Sequence, residues 1–172
     1  MKRRINLYGG PGVGKSTLAA RLFAHLKTKG ASVELVQEFA KQAVYLDRRI
    51  LKWDCVYVAA RQLEAELRPL KASVDRIITD SPLLLQWIYA RRHGCTVHKQ
   101  LFNIAMKFEQ EFPSVNFIVR RSVDFQPNGR WENHLEAQEI DRIIEDELSR
   151  NQIDWHWIDP TTSETSLYLL EL

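Results

Sequence analysis

Four residues pose the first chemical question. Gly9, Gly14, Lys15 and Ser16 stand at the spacing G-x-x-x-x-G-K-[ST], inside the run LYGGPGVGKST of residues 7–17. Glycines here leave no Cβ in the way, so backbone N–H groups can turn inward around phosphate oxygens. A helix that starts at the lysine adds the partial positive charge of its N-terminus. In that arrangement Lys15 reaches β- and γ-phosphates, and Ser16 offers a hydroxyl to Mg²⁺. The run Gly9, Gly10, Gly12, Val13, Gly14, Lys15, Ser16 and Thr17 is therefore expected to bind ATP as a P-loop, or Walker A motif. A Gly-rich turn with an incidental lysine would share the letters but not the context, which must be a strand before and a helix after. The loop leaves the phosphate's destination open among water, a protein and a small hydroxyl.

Other residue types narrow that choice. Asp80 follows the apolar run RIIT. It has the position of a carboxylate that orients Mg²⁺ or takes a proton from an acceptor hydroxyl. It is equally placed to cap a helix beginning near Pro82. Glu38 comes two residues after a second apolar run and reads either as a general base or as a first-turn glutamate favoured by a helix dipole. Arg120 and Arg121 follow a further apolar run, and Arg130 follows the turn Pro127-Asn128-Gly129. Arginines on a mobile segment can close over transferring phosphates, and Arg130 is the strongest such candidate, although each could be a solvated surface arginine. Trp53, Asp54, Tyr57 and Gln62 offer aromatic faces and base-edge hydrogen bonds to an acceptor, against the commoner role of such residues in a core. Trp155 and Trp157 read as structural, and His93 and His98 lack metal-ligand partners.

The elements that must position these groups follow from periodicity. Strands are expected over residues 4–8, 32–36, 74–79, 115–119 and 155–158, where short apolar runs end in turn signals. Helices are expected over 16–29, from 38 onward, and over 53–70, 83–92, 97–112, 135–150 and 163–172. Leu18, Leu22 and Leu26 share one face of the first, Gly30 closes it, Pro69 ends the third, and Gly94 and Pro113 punctuate the rest. Strands alternating with helices predict an α/β chain: a three-layer arrangement with a mainly parallel five-stranded sheet and helices on both faces. Ligands of such sheets sit beyond the carboxyl ends of the strands. That rule gathers the Gly9–Ser16 loop, Glu38, Asp80, Arg120 and Arg121 at one edge.

The chain has 172 residues and a net charge of +2, consistent with one domain over 1–172 and a short lid at about 121–135. The charge is lopsided: residues 1–130 hold 22 Lys/Arg and 11 Asp/Glu, whereas residues 131–172 hold 2 and 11. A basic body suits phosphate-rich ligands, including nucleic acid. The same pattern arises if an acidic C-terminal helix packs across a basic body. Cys55 and Cys95 lack metal spacing and are expected as reduced thiols in a cytoplasmic protein. No apolar run approaches a membrane span and no signal peptide precedes the first strand.

The combination of GGPGVGKST, VQEFAKQAVY (residues 36–45), DRIITDSPLLLQWIYA (residues 75–90) and Pro127-Asn128-Gly129-Arg130 resembles the small P-loop kinases related to the nicotinamide ribose kinase domain of bacterial NAD-biosynthesis regulators. Phage-encoded relatives belong to the same group. The resemblance implies a P-loop kinase fold and transfer of the γ-phosphate of ATP, with Mg²⁺, to a hydroxyl of a nucleoside-type acceptor. It assigns residues 9–17 to ATP, Glu38 and Asp80 to the acceptor and metal side, and Arg130 to a lid. Asn128 stands where family lids often carry Asp, so an acidic lid contact is not implied. One branch phosphorylates 5-hydroxymethyluracil within DNA, a step in thymidine hypermodification. The basic first 130 residues suit that acceptor, and a free nucleoside or nucleotide suits the catalytic residues equally well. A non-kinase P-loop ATPase and a polynucleotide end kinase are the remaining classes. A monomer or homodimer without membrane association is expected.

Overall fold

The computed structural model describes residues 4–41, 46, 53–122, 124–125 and 131–162. Five strands form one sheet: β1 (Arg4–Tyr8), β2 (Val33–Val36), β3 (Arg76–Thr79), β4 (Ser114–Val119) and β5 (His156–Ile158). Five helices are described: α1 (Lys15–Thr28), α2 (Asp54–Lys71), α3 (Leu83–Arg92), α4 (His98–Glu111) and α5 (His134–Arg150). The strand order is β2-β3-β1-β4-β5, and every pairing is parallel. This is the α/β P-loop kinase fold, with β1 at the centre and the loop after it at the carboxyl edge.

Alternation along the strands divides the core. Ile5, Leu7, Ile78, Val115 and Phe117 face Leu18, Leu22 and Leu26 of α1. Tyr8, Ile77 and Ile118 face the other way, where α2 to α5 supply Leu70, Trp87, Phe108, Ile140, Ile144 and Leu148. A parallel sheet buried on both faces has this signature of near-continuous apolar strands. At the opposite end of β1 from the loop, Arg4 is buried and pairs with Glu66 of α2 at 3.1 Å and Glu109 of α4 at 3.0 Å.

Several boundaries differ from expectation. The helix expected from 38 begins later: residue 38 is irregular, 39 and 40 form a bend and a turn, Lys41 is helical, and most of the rest lies outside the described residues. Pro69 does not end α2, which runs to Lys71; so near a helix end, one missing hydrogen bond is tolerated. The expected terminal helix over 163–172 also lies outside the described residues. Among those described, no helix is long and apolar enough to cross a membrane.

Cys55 and Cys95 are bonded to each other, with Cα atoms 6.7 Å apart. This corrects the expectation of two reduced thiols. Forty residues separate them in sequence, but packing of the α3–α4 turn against the first turn of α2 brings them together inside the core. The lopsided charge is partly spent inside the fold. On acidic α5, Glu147 pairs with Arg91 of α3, and Asp141 pairs with Arg121 after β4.

Candidate active site

The carboxyl edge of the sheet gathers the groups that chemistry would need. β1 delivers the loop of residues 9–14, and α1 leaves it at Lys15. Gly14 is the N-cap of α1, in the left-handed region at φ 96°, and no side chain caps the helix. Gly14 suits a bend that a Cβ would strain. Helix N–H groups left without side-chain partners are an anion site. Ser16 and Thr17 are exposed at the first turn of α1. Lys15 curls back over the loop, its Nζ donating to Gly9 O at 2.7 Å and Gly10 O at 3.0 Å. Burial lowers its pKa, while Glu38, Asp80 and Asp141 act in the opposite direction.

Register explains how Glu38 and Asp80 meet. Thr79 of β3 lies opposite Asn6 of β1 and Val36 of β2. One residue beyond Thr79 is Asp80, and two beyond Val36 is Glu38. The Glu38 N–H donates to Asp80 Oδ1 at 3.0 Å. Asp80 is buried, whereas Glu38 is partly open. Burial raises the Glu38 carboxyl above its ordinary range; Lys15 opposes the rise and Asp80 adds to it. Glu38, Asp80 and Lys15 therefore act on one another electrostatically.

The capping role open to Asp80 is filled by another residue. The N-cap position of α3 is Pro82, without a side-chain cap, and the Leu83 N–H donates to Glu66 Oε1 at 2.7 Å. Asp80 is thereby left to hold Glu38.

The acceptor-side candidates take different positions. Gln62 is fully buried; its Oε1 accepts the Phe39 N–H at 3.3 Å and its Nε2 donates to Thr79 Oγ1 at 3.4 Å. It braces the segment after Glu38. Tyr57 is half exposed and meets the Phe39 ring edge-on at 5.5 Å, and Arg61 stacks over the same ring at 5.3 Å. Trp53 is exposed just before α2, and Asp54 occupies its first turn. Phe39 and Arg61 were not singled out from the sequence. An aromatic directly after Glu38 was the available signal.

The two arginines after β4 diverge. Arg120 lies over the Trp157 ring at 4.7 Å, while Arg121 reaches the outside of the phosphate loop, where its Nη1 donates to Pro11 O at 3.0 Å. Arg130 and the turn before it lie outside the described residues. Beside Arg121, a cleft of about 530 Å³ opens between the exit of β4 and α5, with Phe125, His134 and Arg142 among its walls.

Comparisons with known proteins agree with this architecture. A family model described as an AAA domain matches residues 4–165. A search of curated protein sequences returns no match. Among solved structures, NadR protein in complex with NR aligns over 94% of this chain and 47% of its own, with TM-score 0.74 and 14% identity. NadR protein in complex with NAD and AMP-PNP aligns over 95% and 46%, with TM-score 0.67 and 14% identity. Deoxyadenosine kinase from M. mycoides with bound dATP aligns over 98% and 97%, with TM-score 0.58 and 18% identity. The chain thus spans about half the length of the two NadR chains and nearly all of the deoxyadenosine kinase. At these identities the likeness establishes the fold.

Proposed function

Since the chain belongs to the AAA-domain family matched over residues 4–165, we propose that it is an ATP-dependent phosphotransferase acting on a hydroxyl of a nucleoside-type acceptor. One observation carries this reading. At adjacent strand exits the Glu38 backbone N–H donates to the Asp80 carboxylate at 3.0 Å, and the carboxylates of both residues lie within electrostatic reach of Lys15. Loop, cation and carboxylates are what transfer to a hydroxyl requires, because the reaction is mainly positioning and charge stabilisation. The NadR and deoxyadenosine kinase structures of the same fold support a nucleoside-type acceptor over a protein one.

In this reading the N-terminus of α1 and the loop hold the ATP phosphates, and Lys15 leaves its loop carbonyls to contact them. The Ser16 hydroxyl and the Asp80 carboxylate are hard oxygen donors that suit Mg²⁺. When bound, that ion neutralises charge on the phosphate oxygens. Glu38, with its raised pKa, accepts the acceptor's proton at a carboxylate oxygen. Tyr57 and Phe39 supply the aromatic face for the base, with Trp53 and Asp54 at its margin, and Arg120 and Arg130 serve the nucleotide side.

The test uses ATP labelled on its γ-phosphate, offered with free nucleosides, nucleoside monophosphates, ordinary DNA, and DNA containing 5-hydroxymethyluracil. Label on a hydroxyl of any of these acceptors is the expected result, and its location names the acceptor. Label on the modified DNA that survives removal of the ends identifies the base within the polymer. Label on DNA that is lost with the ends identifies an end kinase. Label in free phosphate alone overturns the reading in favour of an ATPase.

A further inference from the structure

Gly10 occupies a place that the phosphate-loop pattern leaves free. Its reason for being glycine lies outside the loop. A Cβ there would meet Ala137 O at 2.4 Å, Asp141 Oδ1 at 2.9 Å and Arg121 Nη2 at 3.1 Å. The nearest of these, a backbone carbonyl of α5, cannot swing aside as a side chain can. Helix α5 therefore rests directly on the backbone of the phosphate loop.

The polar contacts at this seam form a continuous set. The Gly10 N–H donates to Asp141 Oδ1 at 2.5 Å. Arg121 Nε donates to Asp141 Oδ2 at 2.7 Å, and its Nη1 and Nη2 donate to Pro11 O at 3.0 Å and Ala137 O at 3.4 Å. On the other side, Lys15 Nζ donates to Gly9 O and Gly10 O. Pro11 has no N–H to satisfy. Gly10 is thus held by both polar groups, N–H to Asp141 and C=O to Lys15, and Pro11 by its carbonyl. Asp141 and Arg121 are largely shielded, with 23% and 11% side-chain exposure, where a charge-assisted pair is stronger than at the surface.

We propose that Asp141 and Arg121 are positioning residues that set the shape of the phosphate loop from α5, and through Gly10 set the height of Lys15 over it. This deepens the proposed function and rests on the loop being the ATP site. Helix α5 begins at a capping box between Asn133 and Glu136. Neither Asp141 nor Arg121 touches the reacting atoms; both act through the loop backbone.

Two variants test this, Asp141→Ala and Gly10→Ala. The first leaves the Gly10 N–H unpaired, and the second pushes α5 off its seat with Asp141 intact. The expected result is a rise of about tenfold to a hundredfold in KM for ATP, the scale of one charge-assisted hydrogen bond, with KM for the acceptor unchanged. Asp141→Asn keeps an oxygen for Gly10 but not the charge for Arg121, and it should fall between wild type and Asp141→Ala. Folded variants whose KM for ATP stays within twofold of wild type overturn the proposal, as does an equal rise in both KM values.

Amide hydrogen exchange over residues 9–14 without nucleotide gives a second readout. The proposal expects faster exchange in Asp141→Ala, and unchanged exchange overturns it. If the wild-type protein fails to turn over ATP, the proposed function fails by itself. The exchange experiment still decides whether Asp141 shapes the loop.

Discussion

The Glu38 N–H donates to the Asp80 carboxylate at 3.0 Å, joining the exits of β2 and β3 across 42 residues of sequence. Asp80→Asn retains an oxygen for that N–H and removes the negative charge. Turnover should fall by at least about 100-fold, the usual scale for loss of acid–base or metal-orienting function, with little change in melting temperature. Steady-state kinetics on the folded variant provide the check. A loss below tenfold would confine Asp80 to holding the Glu38 backbone.

The Glu38 carboxyl is raised above the ordinary 4.5, chiefly by burial. As pH falls through that raised value the base is protonated, so the acid limb of the rate profile should lie above 4.5. The stability sign is opposite. A raised carboxyl pKa means that the folded state holds the proton more tightly than the unfolded chain, so Glu38 costs stability above its folded pKa, and the cost is lost progressively as pH falls from that value to the ordinary 4.5. Glu38→Gln should therefore abolish the acid limb and depress turnover without lowering the melting temperature at neutral pH. A retained limb would assign the titration to another group.

Lys15 Nζ donates to the carbonyls of Gly9 and Gly10, and its burial disfavours the charge. Lys15→Ala should abolish turnover and leave the fold intact, as judged by circular dichroism and melting. Full activity in a folded Lys15→Ala protein would refute the loop assignment.

The Cys55–Cys95 bond closes a loop with a sequence separation of 40. Loop-closure entropy puts its contribution at about 4 kcal/mol, or on the order of 10 °C in melting temperature. Reductant should lower the melting temperature of the wild-type protein and have no effect on a Cys55→Ser/Cys95→Ser double variant. Equal melting with and without reductant in the wild type would show that the bond contributes nothing.

Arg4 neutralises the fully buried Glu66 at the end of β1 away from the loop. Arg4→Met should cost about 3–5 kcal/mol, the scale for stranding one member of a buried ion pair. A urea titration measures this. ATP affinity of the folded fraction should be unchanged, because the pair and the phosphate loop lie at opposite ends of the sheet.

What the sequence determined by itself was local. The phosphate loop, the five strand positions and helices α1 to α5 depend on spacings of a few residues, and glycine sterics and apolar periodicity act at that range. Asp80 and Glu38 were readable because the parallel-sheet rule places strand exits at one edge. Tertiary structure decided what depends on register and packing. Local chemistry offers Asp80 as the cap of α3, yet Glu66, 17 residues from Leu83, supplies the bond. Cys55 meets Cys95 only because α2 packs against the α3–α4 turn. Asp141 reads as one acid among many on an acidic helix. The fold brings it across 131 residues to the Gly10 N–H, where the only free choice left to the loop was a residue without a Cβ.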